Sequence, residues 1–195
     1  MRPAVARRPV LVRRHDTFLF FTESAERGSP IDLVLPRLAN ELAGEYGLMT
    51  GDWRVVRAPT GQPILQASGI ELFCSISHAV GLTAIAVHAR CPIGVDVEPI
   101  SRDRDDMDLL AQFFPHVCVA RSPHADNDYF LTHWTAAEAW LKARGLGVAS
   151  LAMAQTVAAA GSSPTDTVNS WRVEQGRQAW RVCEVRRAEP PSVVS

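Results

Sequence analysis

The chain has 195 residues, which is enough to bury one sizeable core but short for two independent domains. Hydrophobic residues make up 47%, charged residues make up 21%, and the formal net charge is -1, so a disordered chain and a polycation that coats nucleic acid are both excluded. The basic residues are unusual in one respect, because Lys142 is the single lysine among 20 Lys and Arg residues. We expect one soluble globular unit.

The N-terminal half predicts strands interrupted by one helix. The helix follows Ser29-Pro30, has Leu35, Leu38 and Leu42 at helical spacing, and ends near Gly47. Gly61-Gln62-Pro63 predicts a turn. Short β-branched and aromatic runs predict strands at residues 10–12, 18–21, 53–57, 72–77, 82–89 and 93–98.

The C-terminal half predicts a short helix at 105–114, a loop at 115–126 and a longer helix at 128–144 that stops at Gly145. Predicted strands at 171–174 and 179–185 flank Gln175-Gly176 and indicate a β-hairpin. The tail after Ala188 is predicted to fray.

Targeting and redox signals predict a cytoplasmic protein with no membrane partner. The apolar stretches are far shorter than the roughly 20 residues of a membrane helix, and no apolar core follows the N-terminal arginines to make a secretory signal. The cysteines are widely scattered, so we interpret them as reduced packing residues; they are Cys74, Cys91, Cys118 and Cys183.

Two carboxylates share one face of the predicted strand at 93–98. Alternation puts Ile93, Val95 and Val97 on one side and Asp96 and Glu98 on the other. Neighbouring carboxylates repel each other unless a cation or a proton is shared, and an all-oxygen pair suits a hard ion such as Mg²⁺. The alternative is a half-exposed edge strand with solvated acids.

The helix at 128–144 aligns Trp134, Glu138 and Lys142 four residues apart, on one face. One interpretation is an aromatic anchor followed by an ordinary surface Glu-Lys pair. The other adds Glu138 as a third acid beside Asp96 and Glu98, with Lys142 placed to meet a phosphate. The lone lysine therefore falls in a candidate site.

Ser77-His78, at the end of a predicted strand, is the third candidate. A hydroxyl and an imidazole at a strand end can bind phosphate oxygens, whereas a turn histidine satisfied by backbone is the structural alternative.

In this order, these residues resemble the 4'-phosphopantetheinyl transferase superfamily, in its larger, two-lobed Sfp-like branch. The resemblance covers about residues 35–147. Gly61-Gln62-Pro63 stands where the family has Gly-Lys-Pro, and residues 73–78 are similar to its Phe-Asn-x-Ser-His strand. Residues 93–98 contain Gly-x-Asp-x-Glu, and Trp134, Glu138-Ala139 and Lys142 follow Trp-x-x-Lys-Glu-Ala-x-x-Lys.

The resemblance implies an α+β fold, a pseudo-dimer of two similar lobes with a helix packed on a small antiparallel sheet in each and the active site in the cleft between them. The chain is then one unit over 1–195, with lobes at about 1–90 and 91–188 and a frayed tail at 189–195. The implied reaction moves the phosphopantetheine arm of coenzyme A to a serine of an acyl or peptidyl carrier protein, as a Mg²⁺-dependent holo-[acyl-carrier-protein] synthase. Two lobes in one chain imply a monomer.

The resemblance also implies residue roles. Asp96, Glu98 and Glu138 bind Mg²⁺; Glu138 or Glu98 accepts the serine proton; Lys142 supports the phosphate. Ser77, His78 and Gln62 are the implied coenzyme A contacts, together with Lys142.

Two departures motivate an alternative function. Gln62 replaces a family lysine, and Ala137 replaces the first lysine of the helix motif. A weakened or non-catalytic relative that binds coenzyme A or a carrier protein is therefore the second hypothesis, and an unrelated protein whose acids form a salt-bridged sheet is the third.

Overall fold

The computed structural model describes residues 10–21, 31–45, 47, 51–59, 61–101, 112, 127–146 and 166–187. The predicted short helix at 105–114, the loop at 115–126 and the tail after Ala188 lie almost wholly outside these residues, as do Ser29-Pro30 and Cys118. The strands are β1 Val10–Arg14, β2 Thr17–Phe21, β3 Arg54–Arg57, β4 Pro63–Ala67, β5 Ile70–Ala79, β6 Leu82–His88, β7 Ile93–Pro99, β8 Thr167–Gln175 and β9 Gln178–Arg186. The helices are α1 Ile31–Glu45 and α2 Asn127–Ala143.

The described strands form two antiparallel sheets. The first sheet has six strands in the order β1-β2-β6-β5-β4-β3, and the second has three in the order β7-β9-β8. Ser77 on β5 lies opposite Ala84 on β6, and Asp96 on β7 lies opposite Cys183 on β9. The chain passes from the first sheet to the second between β6 and β7.

The helix α1 covers one face of the first sheet. Leu35, Leu38 and Leu42 recur at helical spacing and are almost fully buried, so burial of this stripe holds the helix in place. The resulting first helix core includes Leu35, Leu38 and Leu42 from α1 and Leu65, Leu72, Ile85 and Val87 from the sheet.

The helix α2 covers the second sheet in a similar way. The second helix core includes Phe130, Leu131, Ala137 and Leu141 from α2 and Cys183 and Val185 from β9. An Arg181 guanidinium fork binds both carboxylate oxygens of Asp128 and holds the start of the helix against β9. Gly145, at a φ of 63°, ends it: its amide donates to Lys142 O at 3.0 Å, as a C-terminal glycine cap requires.

The remaining faces of the two sheets pack against each other. This inter-sheet core includes Leu19, Leu82, Ala84, Ala86, Val95, Val97, Trp171, Trp180 and Val182. Side chains also join the sheets: Val95 N donates to Ser75 Oγ at 3.0 Å, and the fully buried Glu184 accepts from Thr17 Oγ1 at 2.6 Å.

The expected α+β fold with antiparallel sheets is confirmed, whereas the pseudo-dimer of similar lobes stays a prediction. The structure adds the strand Pro63–Ala67, which lies outside the predicted strands, and extends the C-terminal hairpin at both ends. Cys74, Cys91 and Cys183 are buried free thiols, as expected. Within the described residues, no helix is long and apolar enough to cross a membrane.

Candidate active site

The strand β7 presents its acids to α2. A Cβ built at Gly94 would lie far inside contact distance of the Ala139 carbonyl and 2.6 Å from Ala143 N, so the strand meets the helix backbone here. Alternation puts Asp96 and Glu98 on the same side as Gly94, and their apolar neighbours Val95 and Val97 lie in the inter-sheet core. The predicted division of the two faces is therefore present, and glycine is what lets the helix approach the acids.

Lys142, one helical turn beyond Glu138, reaches Asp96 from α2. Its ammonium nitrogen donates to Asp96 Oδ1 at 2.7 Å and to Ser77 Oγ at 3.1 Å. Ser77 Oγ in turn donates to Asp96 Oδ1 at 2.8 Å. The structure therefore connects three of the predicted residues, which come from β5, β7 and α2.

The two oxygens of Asp96 have different surroundings. The residue is only 4% exposed, and both hydrogen bonds from Ser77 and Lys142 go to Oδ1. Oδ2 is buried and has no hydrogen-bond partner. Because a buried carboxylate oxygen without a partner is costly, this oxygen is suited to a cation that is supplied from outside.

Glu138 is half-buried beside this pair. Burial raises the pKa of its carboxyl above the ordinary value, the negative charge of Asp96 raises it further, and Lys142 acts in the opposite direction. After burial, the negative charge of Asp96 is the second cause of the raised pKa, so the two carboxyl groups lie close enough to repel each other. A shared cation would relieve that repulsion.

The donor set fits a divalent metal ion. Asp96 offers a buried oxygen without a hydrogen-bond partner, and the Glu138 carboxyl lies near enough to repel the Asp96 carboxylate. Glu98 lies on the same face of β7 as Asp96. Hard cations such as Mg²⁺ prefer oxygen donors of this kind. Within the described part of the chain, no three His, Cys, Asp or Glu side chains are already gathered closely enough to hold a metal.

The other two predicted coenzyme A contacts lie near the junction of the sheets. His78 Nδ1 is 3.0 Å from Thr83 Oγ1, and partial burial lowers the pKa of its imidazole, as does the charge of Lys142. Gln62 Nε2 donates at 3.4 Å to Cys74 O on β5 and to Ile93 O on β7. Gln62 thus bridges the backbones of the two sheets.

Two features of the site were missed in the sequence. The first is the bond from Ser77 to Asp96, which joins strands of different sheets and leaves no local pattern. The second is the role of Gly94, for which a signal exists: a glycine between Ile93 and Val95 interrupts a β-branched run, which is typical of a close backbone approach.

Residues 92–190, about half of the chain, match the sequence profile of the 4'-phosphopantetheinyl transferase superfamily. The chain therefore belongs to this superfamily, as its motifs predict. The matched segment contains β7, α2, β8 and β9, and with them Asp96, Glu138 and Lys142.

Among curated proteins, the chain is similar to the 4'-phosphopantetheinyl transferase HetI of Nostoc sp. (strain PCC 7120), with 32% identity over 121 residues. The alignment covers 58% of this chain and 51% of the Nostoc protein. The chain thus spans about half the length of the curated relative that it matches.

Proposed function

We propose that this chain transfers the 4'-phosphopantetheine arm of coenzyme A to a serine of an acyl or peptidyl carrier protein, as a Mg²⁺-dependent enzyme of the holo-[acyl-carrier-protein] synthase type. The observation that carries the proposal is the contact of Lys142 with Asp96 beside Glu138, in the segment that matches the superfamily. An ammonium and several carboxylates at one place are the groups that phosphoryl transfer needs for charge neutralisation and proton removal.

The site would lie between two lobes, at about 1–90 and 91–188, in a monomer of the Sfp-like branch. Two observations support this arrangement. Ser77 belongs to the first sheet and Asp96 to the second, yet their side chains are hydrogen-bonded at 2.8 Å. Each sheet also has its own helix. Coenzyme A would enter the cleft where β5 and β7 meet, with His78 near its nucleotide end. We place the protein in the cytoplasm, where coenzyme A and carrier proteins meet.

The chain's own residues account for most of the chemistry. The serine hydroxyl of the carrier attacks the phosphorus that bears the pantetheine arm, a new P–O bond forms, and the pyrophosphate bond to the nucleotide breaks. Lys142 balances charge on the phosphoryl oxygens. Glu138 or Glu98 takes the serine proton. The raised pKa of Glu138 favours Glu138 as this base, because a carboxylate with a higher pKa holds the proton better. Mg²⁺ held by Asp96, Glu98 and Glu138 would supply further charge neutralisation.

The departures from the family motif lie away from the Lys142 contacts. Gln62 bridges backbone carbonyls, and Ala137 is 2% exposed within the second helix core. Despite both departures, the Lys142 ammonium still contacts Asp96. This contact supports catalysis over the binding-only alternative.

The proposal is tested by incubating the pure protein with coenzyme A, Mg²⁺ and several apo carrier proteins, and then measuring the intact mass of each carrier. We expect at least one carrier to gain one phosphopantetheine group. The proposal is wrong if none gains mass while an authentic transferase modifies the same carriers. In that event, a thermal shift with coenzyme A would identify the non-catalytic binder.

A further inference from the structure

Ser77 uses its whole hydrogen-bonding capacity inside the protein. The residue is 7% exposed, and a hydroxyl has one donor and two acceptor positions. The donor goes to Asp96 Oδ1 at 2.8 Å, and the oxygen accepts from Lys142 Nζ at 3.1 Å and from Val97 N at 3.4 Å. No position is left for a nucleotide phosphate, which is the role that the family resemblance implies for this serine.

The effect of these bonds falls on Asp96. Ser77 and Lys142 both bind Oδ1, so the carboxylate is held from one side and its plane is fixed. The other oxygen, Oδ2, is buried and unpartnered. Ser77 lies on the first sheet and Asp96 on the second, so a shift of β7 alone would not carry Ser77 with it.

We propose that Ser77 is a positioning residue that orients Asp96, so that Oδ2 is the oxygen presented to a divalent cation. This inference rests on the metal site of the proposed function and gives Ser77 a task other than coenzyme A binding. Residues that orient metal-binding carboxylates in this way typically contribute about 10–100-fold to metal affinity.

The neighbouring serine on the same face of β5 provides a matched control. Ser75 is also buried, at 2% exposure, and its Oγ accepts from Val95 N at 3.0 Å. Ser75 therefore joins β5 to β7 as Ser77 does, but its bond goes to the backbone one residue before Asp96. Replacing Ser75 weakens the junction of the sheets and leaves the Ser77 bond to Asp96 in place.

The test is calorimetric titration of the purified full chain with Mn²⁺ alone, combined with the KM for coenzyme A measured at saturating Mg²⁺. We expect Ser77→Ala to weaken Mn²⁺ binding at least about tenfold, Ser75→Ala to leave it within about twofold, and neither to raise the KM for coenzyme A more than about twofold. Ser77→Thr, which keeps the hydroxyl, should restore Mn²⁺ affinity. If Ser77→Ala does not fold, Ser77→Cys keeps the side-chain volume with a weak donor and should show the same loss.

Three results would overturn the inference: equal Mn²⁺ weakening by both alanine variants, a raised KM for coenzyme A with unchanged Mn²⁺ affinity in Ser77→Ala, or a wild-type protein that binds no Mn²⁺. The proposed function is judged separately by carrier modification. A wild-type protein that binds Mn²⁺ in a Ser77-dependent manner but modifies no carrier would contradict the function and support the inference.

Discussion

The two helices of the described chain cover their sheets in different ways. Within the first helix core, α1 meets its sheet through aliphatic side chains such as Leu38 and Leu42. The helix α2 meets its sheet through apolar residues too, but its contact with β7 also includes Lys142 on Asp96 and a half-buried Glu138. We call each helix together with its sheet a layer. The same helix-on-sheet packing therefore gives structural support in the α1 layer and forms a charged site in the α2 layer.

The superfamily match falls on the part of the chain that carries the charged contact. The matched residues 92–190 contain α2 and its sheet, and α1 with its sheet lies outside. An apolar helix contact tolerates many exchanges of similar volume, whereas a contact that includes paired charges and a glycine without space for a Cβ tolerates few. The first sheet still contributes Ser77, so the site depends on both layers.

The largest expected effect compares one glutamate on each helix. Glu138→Gln on α2 should lower turnover roughly 100–10,000-fold, because the variant loses a proton acceptor and a carboxylate for the metal. Glu41→Gln, at an exposed position of α1, should leave turnover unchanged. Carrier modification rates under saturating coenzyme A measure both variants. Turnover of Glu138→Gln within threefold of wild type would remove Glu138 from the site.

The next comparison uses one glycine from each layer. Gly94→Ala should destabilise the protein by about 3 kcal/mol or more, because the added Cβ meets the backbone of Ala139 and Ala143, which cannot move without shifting α2. Gly44→Ala on α1 meets nothing within 4 Å and should stabilise the protein by up to about 1 kcal/mol. Urea unfolding of both variants measures the difference, and a Gly94→Ala protein as stable as wild type would contradict the close packing.

A smaller effect is expected from exchanging the cation type in each layer. Lys142→Arg should lower turnover about tenfold, equivalent to about 1.4 kcal/mol, since the planar guanidinium aims its donors differently from the compact ammonium. The free energy of unfolding of the Lys142→Arg variant should change by less than this amount. Arg13→Lys is the control: Arg13 pairs with Glu45 of α1 at the surface, where such pairs contribute little. Equal turnover in the two variants would show that only the charge of Lys142 matters.

The smallest effect concerns the connection between the layers. His88 Nδ1 accepts from Cys91 N at 3.0 Å in the segment that links the sheets. Burial lowers the pKa of His88 from its ordinary 6.5, with Asp16 acting in the opposite direction. His88 then binds a proton more readily in the unfolded chain than in the folded protein. The contribution of neutral His88 to folding stability is therefore complete above about pH 6.5 and is lost as the pH falls through the lower pKa of the folded state.

Replacing His88 by Gln should therefore flatten part of the fall in the melting temperature between about pH 7 and pH 5. The exposed His15, in the β1–β2 turn, serves as the control in a His15→Gln variant. Identical pH profiles for wild type and His88→Gln would contradict the interpretation.

The sequence predicted the features that depend on local pattern. Strand alternation separated Asp96 and Glu98 from Val95 and Val97, and helical spacing placed Glu138 and Lys142 together. The strand Pro63–Ala67 was missed because its first residue, in Gly61-Gln62-Pro63, is typical of a turn. The bond from Ser77 to Asp96 and the position of Gln62 between two sheets depend on how distant strands pack. No local pattern encodes that packing.

The proposed function requires that the charged contact between α2 and β7 carries out phosphopantetheine transfer. The most direct measurement is the intact mass of an apo carrier protein after incubation with coenzyme A and Mg²⁺, with wild-type protein and Asp96→Asn in parallel. We predict that the carrier gains one phosphopantetheine group with the wild type and essentially none with Asp96→Asn. An equal gain of mass with both proteins would contradict the claim.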